Sequence, residues 1–113
     1  MGISGFDAAE LNGLKRALGA ELERIALAPI KAQVGNLGAG SGVDAAAAVL
    51  SVHSGKVPAA INTKKLVNGQ KLNVAAQARD LPAKVAISAV YSLGGQNAAL
   101  VFKQVEHEGV PNP

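Results

Sequence analysis

A chain of 113 residues has room for one domain, and at that size roughly 65% of the unfolded surface can be buried. Hydrophobic residues make up 49% of it and aromatic residues only 3%, so any core is built from Ala, Val, Leu and Ile in closely stacked layers. The formal charge of +3 is scattered, with adjacent basic residues only at Lys15-Arg16 and Lys64-Lys65 and no interleaved aromatics for base stacking, which argues against a nucleic-acid partner.

The absence of cysteine removes disulfides, thiolate zinc sites and a cysteine nucleophile together. No metal or cofactor is expected. The N-terminus shows no signal-peptide pattern, so a cytoplasmic protein is the default expectation. Nor is a membrane partner expected: the most apolar stretch, Leu37 to Ser54, contains Asp44, Ser51 and His53 and is glycine-rich at its start.

In chain order, Met1 to Phe6 is a short lead. Asp7 offers an N-cap, with Glu10 three residues on as its capping-box partner. Leu11, Leu14 and Leu18 form the stripe of an amphipathic helix closed by Lys15, Arg16 and then Gly19. Arg24 to Ile30 reads as a short strand, with Pro29 favouring an edge or a bend. After the glycine-rich turn comes a small-sided helix, Leu37 to Ser54, apolar nearly all round and therefore expected in an interior. Gly55 ends it and Pro58 forbids its continuation. Residues 59–70 read as loop with an Asn68-Gly69 turn, and Lys71 to Ala76 as a weak strand. Lys84 to Leu93 and Asn97 to Val105 alternate as strands and are joined by Gly94-Gly95-Gln96, which predicts a hairpin. Residues 106–113 are a polar tail.

The order helix, strand, buried helix, hairpin is a layered α/β pattern. Two segments also carry a resemblance. Lys31, Gly35-Asn36, LGAGSGVDAAAAVL and VPAAIN resemble the β-ketoacyl synthase segment K-x-x-x-G-H, Gly/Ala-rich turn, buried helix and V-P-P-T-x-N. YSLGGQN from Tyr91 to Asn97 resembles that family's F-G-F-G-G-[TH]-N turn. The resemblance covers Asp7 to about Val105. It implies one domain over residues 1–113, equivalent to the C-terminal part of one half of a thiolase-like fold. In such a half, two further strands lie between the strand before the buried helix and the final hairpin, and this chain does not contain them.

What the resemblance implies about chemistry follows position by position. The family's cysteine and one histidine lie in a part that is not in this chain, and the second histidine falls at Asn36. An amide donates hydrogen bonds but cannot exchange a proton near neutral pH. Lys31 matches the family lysine and Asp44 its acidic partner on the buried helix if this turn is one residue shorter, giving an ion pair of structural rather than catalytic value. Two solvated charges are the alternative. Leu93 stands where the family has a gating phenylalanine beside the acyl pocket, and Gly94, Gly95 and Asn97 are retained. For glycines in such a turn, φ > 0 is the simpler reason. The GAGSG run lacks the strand and acidic residue of a dinucleotide fingerprint. His53 reads as a surface or capping residue near a helix C-terminus, and His107 is assigned nothing.

The implied function is a synthase-like protein or subunit of fatty acid or polyketide biosynthesis, similar to non-catalytic chain-length factors. One alternative is the C-terminal piece of an active synthase whose cysteine-bearing part is separate, and another is a small self-associating scaffold. The expected partners are a synthase-like subunit or N-terminal synthase part, a second copy in a dimer or larger oligomer, and an acyl carrier protein.

Overall fold

The computed structural model describes residues 2–66 and 71–105. The Asn68-Gly69 turn and the tail at 106–113 lie outside the described residues.

Helix α1 spans Ser4–Leu18 and begins ahead of Asp7, with Ile3 as N-cap and no side-chain cap. The Asp7 N–H already donates to the Ile3 carbonyl at 2.9 Å, and the Asp7 carboxylate accepts from the Gly2 N–H at 3.2 Å. The expected capping box is therefore not formed. Asp7 instead puts negative charge in the first turn, favourable to the helix dipole, with Lys15 and Arg16 at the other end and Gly19 following. A 3₁₀ turn, Gly19–Glu23, buries Leu22.

The strand expected over 24–30 narrows to β1, Ala26–Leu27. Helix α2, Lys31–Val34, is a single turn that the sequence did not signal. Helix α3 runs from Gly40 to Ser54, three residues later than expected, and ends at Gly55 in the left-handed conformation. Short strands β2, Lys56–Val57, β3, Asn73–Val74, and β4, Arg79–Asp80, follow. The long strands are β5, Val85–Tyr91, and β6, Asn97–Lys103.

Among the described residues the strands form three two-stranded sheets rather than one half-sheet: β1 parallel to β3, β2 antiparallel to β4, and the β5–β6 hairpin. In the hairpin, Ala86 faces Phe102 and Ser88 faces Leu100. Its turn is closed by the Ser92 N–H on the Gln96 carbonyl at 2.9 Å. Gly94 and Gly95 sit there at φ 97° and 85°, where a side chain would be strained.

Helix α3 packs on this hairpin. The stripe Gly40, Asp44, Ala48, Val52 is buried or half-buried, whereas Val43, Ala46, Val49 and Leu50 are exposed. The burial expected around α3 is thus met on one face. Besides Leu22, the buried hydrophobic residues are Leu11, Val52, Val57 and Ala60. The result is a mixed α/β arrangement with an antiparallel hairpin, and its interior is thin.

Candidate functional site

The stretch from Lys31 to Asp44 turns back on itself. Gly35, at φ 84°, ends α2 with its N–H on the Lys31 carbonyl at 2.9 Å, and the chain reverses through Asn36–Ala39 into α3. That reversal lays the Lys31 stem over the start of α3. A Cβ at Gly40 would lie 3.7 Å from Lys31 Cε. The ammonium then meets Asp44, with Nζ 2.9 Å from Oδ2. Both side chains are largely covered, at 25% and 16% exposure, so water screens the pair only in part.

Asn36 lies on the exposed reversal, and its side chain makes no hydrogen bond among the described residues. Leu93, Gly94, Gly95 and Asn97 are gathered at the exposed hairpin turn. No hydrogen bond or ion pair joins that turn to Lys31 or Asp44 among the described residues. What relates the two is Glu10 on α1. Burial raises the Glu10 carboxyl above its ordinary value, and the Asp7 and Asp44 carboxylates push the same way while Lys31 opposes. The Tyr91 hydroxyl, at the end of β5, is also raised, first by burial and then by the Glu10 charge. Lys31, Asp44, Glu10 and Tyr91 therefore share one electrostatic neighbourhood beside the hairpin turn.

Glu10 was the residue least legible from the sequence, because its spacing from Asp7 imitates a capping box. Its place four residues before Leu14 on the apolar stripe was the available signal. His53 is exposed in the last turn of α3, and His107 lies outside the described residues.

Chemically, the neighbourhood offers a committed ion pair and two protonatable groups. The chain has no thiol, and among the described residues the imidazole, His53, is exposed in the last turn of α3. Among the described residues no group of three or more His, Cys, Asp or Glu side chains is placed to hold a metal ion. No described helix is long and apolar enough to cross a membrane.

A lysine-anchored turn feeding a small-sided helix that packs on an antiparallel hairpin defines an α/β protein of the thiolase-like class. The chain belongs to the β-ketoacyl synthase family: the model of the beta-ketoacyl synthase C-terminal domain matches residues 1–64. It is 35% identical over 102 residues to 3-oxoacyl-[acyl-carrier-protein] synthase 2 of Vibrio harveyi, covering 88% of this chain and 25% of that protein. It is 29% identical over 106 residues to Nodulation protein E of Rhizobium sp. (strain N33), covering 92% of this chain and 26% of the relative. The same protein of Rhizobium meliloti gives the same identity and coverage. The chain thus spans about a quarter of the length of these relatives.

Proposed function

We propose that this chain is a β-ketoacyl synthase-like protein or subunit of fatty acid or polyketide biosynthesis that does not carry out condensation on its own. Family membership supports the pathway class. The observation that carries the rest is Asn36, an exposed amide where the resemblance puts a proton-handling histidine. Decarboxylation of a malonyl thioester develops an enolate that needs positioned donors, and condensation needs a nucleophile to hold the acyl chain. The Asn36 amide can donate hydrogen bonds but cannot take up or release a proton near neutral pH, and the chain has no cysteine.

A second reading rests on the length relation to the relatives. A chain spanning 25% of a synthase is also what the C-terminal piece of an active enzyme presents, with the cysteine-bearing part supplied separately. In either reading the partner is a synthase-like polypeptide, and an acyl carrier protein delivers the substrate.

The test is carbon dioxide release from malonyl carrier protein. The chain alone should match a protein-free blank. Release well above the blank that is abolished by Asn36→Ala overturns the non-condensing reading.

A further inference from the structure

Helix α2 poses a physical problem, because one helical turn does not stand by itself. Burial does not hold it, since Ala32, Gln33 and Val34 are all exposed. Yet it carries Lys31 and leads into Asn36. Two side-chain amides bridge it to the loop after β2, in opposite directions. Asn62 Nδ2 donates to the Ala32 carbonyl at 3.0 Å, satisfying one of the carbonyls that a helix end leaves without an intrahelical partner. Gln33 Nε2 donates back to the Ala59 carbonyl.

The loop that receives these bonds is itself fixed. Val57 and Ala60 are buried, and the Ala60 N–H donates to the Ala75 carbonyl at 2.8 Å. Asn62 has φ 66°, the one positive value at a non-glycine residue among the described residues. Asparagine tolerates that conformation better than most side chains and has an amide to offer from it.

We propose that Asn62 and Gln33 are positioning residues, clamping α2 so that Lys31 is presented to Asp44 and the Gly35-Asn36 reversal is held beside the start of α3. Two crossed bonds from separate residues fix both the place of α2 and its rotation, which a single bond would leave free. The functional weight of the clamp rests on the reading that the Lys31–Asn36 stretch borders an acyl site. The clamp can be measured without acyl chemistry, so the two ideas fail separately.

The measurement is competitive acetylation of the folded chain with acetic anhydride, read by peptide mass spectrometry as the ratio of Lys31 to exposed Lys15. Asp44→Asn gives the ratio for an unpaired Lys31. Asn62→Gly keeps the backbone freedom of position 62 and removes only the amide, and it should raise the ratio about threefold, the scale of one lost hydrogen bond. Gln33→Ala should raise it similarly. Asn73→Ala is the control. It breaks two ties elsewhere, from Asn73 Nδ2 to the Arg24 carbonyl at 2.9 Å and from Arg79 Nη1 to Asn73 Oδ1 at 2.5 Å, and should leave Lys31 at the native ratio. Native ratios in both Asn62→Gly and Gln33→Ala overturn the proposal, and a rise in one alone overturns the role of the other residue. A rise in Asn73→Ala as large as theirs overturns it as well, by showing general loosening. So does an unchanged ratio in Asp44→Asn, which would mean that Asp44 does not hold Lys31.

Discussion

Glu10 shows how one residue changes meaning when a helix begins four residues early. With α1 starting at Ser4, Glu10 leaves the capping position and faces inward, where burial raises its carboxyl above the ordinary 4.5. A carboxyl raised in the folded state favours folding most when protonated. Its stabilising contribution is complete below 4.5 and is lost as the pH rises through the folded value. Glu10→Gln should therefore melt higher than the native chain at pH 7, with the gap closing as the pH falls toward 4.5. Thermal melts across that range check it, and a variant that melts lower at pH 7 would mean that the charged carboxylate is welcome there. Position by position, legibility follows sequence distance. The places of Lys31, Asn36 and Asp44 on one reversing stretch were readable through the resemblance. The Asn62–Ala32 and Gln33–Ala59 ties were not, because each joins loop-like segments with no periodicity and no charge to advertise it.

Among the elements, the hairpin was the most legible. Apolar, strand-forming runs on both sides of a glycine pair predict the two strands and their turn together, and β5 and β6 lie within the expected limits. Strands β1 and β3 fall inside the runs read as strands, 24–30 and 71–76, though each is only two residues long; β2 and β4 carry too little pattern to be seen, and the β1–β3 pairing needs contacts far apart in the chain. Composition announces that α3 is apolar all round, but not how many neighbours this chain brings to it. The structure divides its alanines. Ala48 lies on the half-buried stripe with Asp44 and Val52, and Ala48→Leu should cost about 1–3 kcal/mol by overpacking. Ala46 is exposed, and Ala46→Leu should leave the melting temperature within about 1 °C, as surface substitutions do. Equal losses at both positions would show that α3 is covered on both faces in solution, by a second chain.

That possibility belongs to the whole molecule, whose apolar residues far outrun its interior. Leu50 on α3 is 62% exposed, and Ile87 and Val101, opposite each other across the hairpin, are 54% and 66% exposed. Ile87 and Val101 are cross-strand neighbours, and open apolar surface of this kind marks an interaction site. Among the described residues the hairpin also has free edges. The Gln104 N–H on the Lys84 carbonyl sets the ladder phase, so that the Ala86, Ser88 and Val90 amides point toward β6 while those of Ile87 and Ala89 point outward from β5. Ala99 and Val101 point outward from β6 in the same way. Unpaired edges recruit strands from other chains, and the relatives are about four times as long as this chain. We therefore predict self-association, or stable capture by a synthase-like polypeptide, through the hairpin. Light scattering at micromolar concentration should give more than the 11.3 kDa of one chain, or should do so once such a partner is added. Hydrogen exchange should then slow at Ile87 and Ala89, or at Ala99 and Val101, and the pair that slows identifies the edge in contact. A monomer that stays monomeric with the partner present, with all four outward amides exchanging freely, would mean that these edges recruit no strand.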